Sequence, residues 1–295
     1  MKLTREEAIA LAKDPFHTRL DPSQVLLSDQ VALVTGGGGG IGMGIALGLA
    51  KFGAEVGVLD VIPERAERAV QAIEELGGKG LALPADVMDT DQIRAAVDRT
   101  RERFGRLTIL VNNAGGVRAA KFVEQSERSW RRHIDINLVS MLAATSAAIP
   151  SMIEAGGGSI VNITSIEGFR AAPMYSVYAA CKAGMINFTR TLAVEVAEHD
   201  IRVNAIAPDL TTTPGLGGNR TGPVDPSTWF DMPAEASYRM IPLGREGVVD
   251  ECAAAAVFLC SSMAGYITGV TLNVDGGSWA SSGWTRDGSG GWTLH

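Results

Sequence analysis

Tyr178 and Lys182 stand four residues apart in Tyr178-Ala179-Ala180-Cys181-Lys182. On a helix that spacing puts a phenol and an ammonium on one face. A cation so placed favours the phenolate and is expected to lower the tyrosine pKa from its usual value of roughly 10. A weak acid becomes a proton shuttle usable near neutral pH. Alone the pattern is a weak signal, because a surface tyrosine beside a solvated lysine has the same spelling. Its weight comes from other residues. Ser165 closes the apolar run from Gly158, while Thr164 before it should face the other side of a strand. Asn137 is an amide inside the apolar stretch Ile134-Asp135-Ile136-Asn137-Leu138 and reads as a buried group satisfied by backbone. Cys181 falls inside the central motif, but no histidine is near in sequence, so it reads as a small buried thiol.

These groups need a frame. Val31-Ala32-Leu33-Val34-Thr35 is short, apolar and β-branched, as a parallel strand buried on both faces must be. Five glycines, Gly36 to Gly40, then Ile41 and Gly42, open an apolar helix through about Phe52. A turn without Cβ atoms lets a pyrophosphate reach the backbone, and the helix N-terminus supplies unpaired N–H groups and a favourable dipole. The glycines satisfy several spacings, including Gly37-x-Gly39-x-x-Gly42, so the pattern leaves the register open. The next strand, 55–60, ends in Asp60, about 20 residues past the turn, where a carboxylate accepts from ribose hydroxyls. A 2′-phosphate would be repelled there, and Val61 and Ile62 follow with no adjacent cation, which favours NAD over NADP. Strand 80–85 leads to Asp86-Val87, and strand 107–111 ends in Asn112-Asn113-Ala114-Gly115, suited to a turn hugging a ligand or to stabilising the central strands. One helix spans 126–154, another carries Tyr178 and Lys182 to about His199, and strands at 201–208 and 271–277 complete seven. Alternating strands and helices predict an α/β, doubly wound parallel sheet with three layers, a Rossmann fold.

Together these residues resemble the short-chain dehydrogenase/reductase family, in its branch with one compact domain, from about residue 30 to about residue 277. By that resemblance, Thr-Gly-x-x-x-Gly-x-Gly maps onto Thr35, Gly36, Gly40 and Gly42, and Asn-Asn-Ala-Gly onto Asn112 to Gly115. The resemblance implies that Ser165, Tyr178, Lys182 and Asn137 are catalytic. Asn137 would be a helix kink whose carbonyl holds a water behind Lys182. It further implies that Gly36, Gly40, Ile41, Gly42, Asp60, Asp86, Val87, Asn113, Ala114, Gly115, Tyr178, Lys182, Pro208 and Thr213 bind the cofactor. Asp86-Val87 would meet the adenine, although a turn aspartate before a helix has the same appearance. One departure stands out: the family has Pro-Gly where this chain has Pro208-Asp209. The implied activity is NAD-dependent hydride transfer between a secondary alcohol and a ketone, on a lipophilic, alicyclic (steroid-like) or acyl-CoA substrate. An NADPH-using 3-oxoacyl-thioester reductase is the alternative, and a nucleotide sensor without catalysis a more distant one.

A formal charge of −7 with no basic run argues against a nucleic-acid partner. No apolar run is long and uninterrupted, which argues against a membrane span. Cys181, Cys252 and Cys260 form no metal spacing, and a reduced, cytoplasmic setting follows. Residues 1–28 read as an extension, with Thr4 and Glu7 as a capping box, ahead of a domain at 29–278. The stretch from about 210 to 243 carries Trp229, Phe230, Met232, Tyr238 and Met240 among glycines and prolines and resembles a lid. A tail, 279–295, holds Trp279, Trp284 and Trp292. Those rings either line a substrate cleft or plug a subunit interface. The small apolar faces of the helices carrying Asn137 and Lys182 match the surfaces that pair in the family, so a homotetramer is expected.

Overall fold

The structure, a computed structural model, describes residues 5–13, 20–213 and 233–294. Seven strands form one parallel sheet: β1 (Val31–Thr35), β2 (Glu55–Asp60), β3 (Gly80–Pro84), β4 (Ile109–Asn112), β5 (Gly158–Ile163), β6 (Ile201–Pro208) and β7 (Thr271–Val274). Their order across the sheet is β3-β2-β1-β4-β5-β6-β7. The chain starts in the middle, winds to one edge, returns and winds to the other, which is the doubly wound plan expected from the sequence. The reversal falls between β1 and β4, where such sheets bind ligands at their carboxyl ends.

Every residue of β1 is buried. Its side chains alternate, Ala32 and Val34 toward one layer and Leu33 toward the other. The first layer is built by α2 (Gly40–Lys51), α3 (Pro63–Glu75) and α9 (Val249–Cys260), whose Ile45, Leu49, Ile73 and Val257 pack into one core. The second holds α4 (Thr90–Phe104), α6 (Ser140–Glu154) and α7 (Ser176–Glu195), with Ile93, Ala144, Met152 and Leu192 in the other core.

The helix expected over 126–154 is interrupted. It runs as α5 (Glu127–Ile134), a π-helical turn over Asp135–Val139, then α6. As one helical run, Glu127–Glu154 is long and apolar enough to cross a membrane by length and composition. Here it packs on the sheet through Met141, Ala144, Ala148 and Met152, all at most 2% exposed, as a core helix does.

In the extension, α1 covers Arg5–Ala12. Thr4 of the expected capping box lies outside the described residues; a capping box does occur at Asp21 and Gln24 around the 3₁₀ turn Pro22–Val25. Of the lid residues, Trp229, Phe230 and Met232 lie outside the described residues, and Tyr238 and Met240 sit half-exposed on α8 (Ala234–Met240). The tail folds as an antiparallel hairpin of β8 (Trp284–Arg286) and β9 (Trp292–Leu294). Arg286 fastens it to α8. Its guanidinium lies 4.4 Å from the Tyr238 ring centroid and 5.2 Å from that of Trp292, and it donates to the Tyr238 carbonyl at 2.9 Å.

Candidate active site

The glycine turn after β1 has two left-handed residues, Gly36 (φ 62°) and Gly40 (φ 53°), positions where a side chain would be strained. Gly42 begins the tight contact between α2 and the turn: a Cβ there would lie 2.2 Å from the Gly36 carbonyl oxygen and 2.3 Å from Asn113 Nδ2. Asn113 braces the turn by donating from Nδ2 to the Thr35 and Gly36 carbonyls, at 3.0 and 3.1 Å. The Thr35 hydroxyl accepts in return from the Asn113 and Ala114 amides. Thr213 is brought across from beyond β6, its Cβ 3.6 Å from where a Gly40 Cβ would stand. Gly36 and Gly40 thus need glycine for their backbone angles and Gly42 for its packing.

Asp60 is buried at the end of β2 and accepts from the Gly38 amide (3.1 Å) and the Ile62 amide (3.0 Å). Each carboxylate oxygen retains capacity for another donor. Arg65, in the first turn of α3, comes to the same corner, its Cβ 2.7 Å from where a Gly38 Cβ would stand. Asp86 sits in the turn before α4 and accepts from the Met88 amide at 2.9 Å, whereas Asp89 caps that helix. Val87 is buried.

The residues expected to be catalytic gather near the ends of β4 and β5. Lys182 is buried, and its Nζ donates to the Ile163 carbonyl at 2.8 Å and lies 5.5 Å from the Tyr178 ring centroid. The Ser165 hydroxyl faces the Tyr178 hydroxyl closely enough to pull its pKa down. Thr164 faces away and donates to the Ile206 carbonyl at 2.9 Å. Asn137 sits in the π-helical turn, fully buried. Its amide donates to the carbonyls of Gly116 (2.8 Å) and His133 (2.9 Å) and accepts from the Gly116 amide (3.1 Å). The side-chain amide is thus satisfied by backbone groups, within a π-helical interruption of the helix. Gly115 lies between Asn137 and Lys182: a Cβ there would be 2.8 Å from Asn137 Oδ1 and 3.6 Å from Lys182 Nζ. Cys181 is buried, and burial pushes its thiol up, away from nucleophilic use.

The expected depression of the Tyr178 pKa is not what this environment gives. Burial pushes the phenol up to about 12; the Ser165 hydroxyl pulls it down, and the charge of Glu167, with Cys181 and Tyr175, pushes it further up. Burial likewise lowers Lys182 to about 8, with Cys181 opposing. Desolvation disfavours both charged forms, and Lys182 spends a hydrogen bond on Ile163 instead of on the phenol.

Three further features surround the site, the first of them an asparagine that stabilises the central strands. Asn112 and Asn162 are register partners on β4 and β5 and pair at 2.8 Å inside a buried polar ladder with Thr145 and Thr189. Trp279 packs against Phe169, four residues past Ser165, with the rings tilted by 31° and their centroids 5.4 Å apart. Asp209, the departure from Pro-Gly, is paired with Arg170 at 3.4 Å, and Arg170 also holds Glu167 at 3.0 Å. The Asp209 substitution was the one available signal for that cluster.

A nucleotide-binding turn, a carboxylate at the end of β2 and a Ser–Tyr–Lys set on one sheet edge define an oxidoreductase site of the short-chain type. The sequence profile described as Enoyl-(Acyl carrier protein) reductase matches residues 31–278. The chain is 40% identical over 256 residues to 3-oxoacyl-[acyl-carrier-protein] reductase FabG of Chlamydia muridarum, covering 85% of this chain and 98% of that one. Its fold matches a 7α-hydroxysteroid dehydrogenase complexed with NADH and 7-oxo-glycochenodeoxycholic acid, with a TM-score of 0.79, 32% identity, and 88% and 97% of the two chains covered. It also matches carveol dehydrogenase from Mycobacterium avium in complex with NAD, with a TM-score of 0.79, 31% identity, and 86% and 99% covered. The chain belongs to the short-chain dehydrogenase/reductase family and is an oxidoreductase.

Proposed function

We propose that the chain moves a hydride between NAD(H) and the carbon of a secondary alcohol or ketone, with Tyr178 as proton donor and acceptor. The observation that carries this is the gathering of Ser165, Tyr178, Lys182 and Asn137 at one strand edge beside the glycine turn. The turn fits a dinucleotide, since its closest approaches are places a Cβ would fill. Gly36, Gly40, Ile41 and Gly42 would take the pyrophosphate, Asp60 the ribose, Asp86 and Val87 the adenine. Asn113, Ala114 and Gly115 would floor the site, with Tyr178, Lys182, Pro208 and Thr213 at the nicotinamide end. When bound, the nicotinamide supplies or accepts the hydride, and its oxidised form adds a positive charge. Tyr178, protonated throughout the physiological range, is ready to donate its proton to a carbonyl oxygen. Ser165 donates to the same oxygen as charge develops. Lys182, ionised at neutral pH, favours the phenolate left behind.

For the substrate, the names of the curated relatives favour reduction of a 3-oxoacyl thioester over the lipophilic or alicyclic alcohol expected first from the sequence. The steroid and carveol dehydrogenases among the solved neighbours support the alicyclic reading as a second one. Acetoacetyl-CoA and a panel of alicyclic ketones, each assayed with NADH and NADPH, separate the two. Dinucleotide binding with no turnover of any carbonyl would point to a nucleotide sensor.

The cofactor preference rests on Asp60, whose carboxylate repels a 2′-phosphate. Arg65 at the same corner is the observation on the NADP side. Wild type is expected to bind NAD more tightly than NADP, and Asp60→Ala to narrow the gap, as titration of both dinucleotides will read. Equal binding by the wild type overturns the assignment. Three buried free cysteines fit a reducing, cytoplasmic setting.

We also propose that the tail contributes to the substrate wall of a homotetramer, through Trp279 on Phe169. Removing residues 279–295 is expected to raise KM several-fold for a bulky ketone while light scattering still shows a tetramer. Dissociation with unchanged kinetics per subunit would make the tail an interface instead.

A further inference from the structure

Beside the reacting tyrosine lies a charged group that the proposed reaction does not use. Glu167 follows Ser165 by two residues, in the 3₁₀ turn Ile166–Gly168 that leaves β5. Its backbone amide donates to Ser165 Oγ at 3.2 Å, so the turn holding Ser165 also fixes Glu167. The turn is pressed onto α7, where a Cβ on Gly168 would lie 3.0 Å from the Lys182 carbonyl carbon. One Glu167 oxygen, Oε1, accepts from Arg170 Nη2 at 3.0 Å. The other, Oε2, is buried and has no hydrogen-bond partner among the described residues. Arg170 Nη2 is shared with Asp209 Oδ1 at 3.4 Å, across from the end of β6. The Asp209 side chain is only 10% exposed and that of Glu167 20%. Burial raises the Asp209 carboxyl, while Ser278 and Arg170 hold it down. Glu167 and Asp209 both bond the Arg170 guanidinium, Asp275 adds its charge, and Glu167 keeps an oxygen without a hydrogen-bond partner among the described residues.

We propose that Glu167 is a positioning residue for the proton of Tyr178, placing a negative charge beside the phenol that Arg170 partly cancels and Asp209 partly restores. The charge disfavours the ionised phenol more than the neutral one and so holds the proton on Tyr178. The other groups facing Tyr178 are Ser165 from the same turn, and Tyr175, Cys181 and Lys182 from its own helix. None of these is a carboxylate. Asp209 enters the balance through Arg170. A glycine at this position, as in the family pattern, removes one of the carboxylates that share Arg170 with Glu167, so the Asp209 departure and the charge at Tyr178 are linked. This inference rests on the reading of Tyr178 as the acid and base.

The test needs no substrate. The phenolate absorbance is followed by rapid pH jump in the full chain. Subtracting the same trace from the matched Tyr178→Phe background isolates Tyr178. Glu167→Gln, nearly isosteric, is expected to move the Tyr178 midpoint down by roughly half to one pH unit, and Arg170→Met to move it up. Asp209→Gly should move it down by less. Opposite shifts from Glu167→Gln and Arg170→Met are the signature, since a merely structural role would move both the same way. Unshifted midpoints, or shifts of one sign, overturn the proposal. Turnover by Tyr178→Phe distinguishes the other failure: if that variant stays active, the acid/base reading itself falls.

Discussion

Tyr178→Phe is expected to lower kcat by roughly 10²–10⁴-fold, the usual worth of a positioned general acid or base, with dinucleotide affinity retained. The separation of effects follows from the contacts. The ring stays in place beside Lys182, whose Nζ is held by the Ile163 carbonyl and not by the phenol. Only the hydroxyl facing Ser165 is lost. Fluorescence titration of NAD and steady-state rates measure the two quantities separately. A variant keeping half its activity would remove Tyr178 from the reaction.

Gly42→Ala is expected to damage both stability and cofactor binding. Its Cβ would sit 2.2 Å from the Gly36 carbonyl oxygen and 2.3 Å from Asn113 Nδ2. Neither neighbour is a flexible side-chain end, because Asn113 Nδ2 is already donating to Thr35 and Gly36. The turn itself must shift. Overpacking of this kind costs about 1–3 kcal/mol, read as a lower melting temperature. Displaced amide groups at the start of α2 should weaken dinucleotide binding by about tenfold, or about 1.4 kcal/mol. Gly39→Ala is the control, since a Cβ at Gly39 meets nothing within 4 Å and its φ of −164° is extended backbone. It should leave the melting temperature unchanged. Equal loss in both variants would mean that close packing at Gly42 does not set the turn.

What the sequence by itself determined is whatever neighbours along the chain encode. Val31–Thr35 is a strand buried on both faces because five consecutive residues can satisfy both cores. Tyr178 and Lys182 share a helix face because four residues make about one turn. Even the dinucleotide turn was legible as a place free of side chains, though which of its glycines the backbone requires waited for the positive φ of Gly36 and Gly40. Tertiary structure decided the electrostatics. The Tyr178 pKa rises instead of falling because desolvation and the charge of Glu167 come from packing, not from the Tyr-x-x-x-Lys spacing. The role of Asp209 stayed closed for the same reason, since its partner Arg170 is 39 residues away on another strand's exit turn. The tail hairpin finds its place on α8 through Arg286 reaching the Tyr238 carbonyl, 48 residues back. Periodicity and backbone angles are local and can be read along the chain. Burial and through-space charge depend on which distant elements meet, and only the folded sheet brings those together.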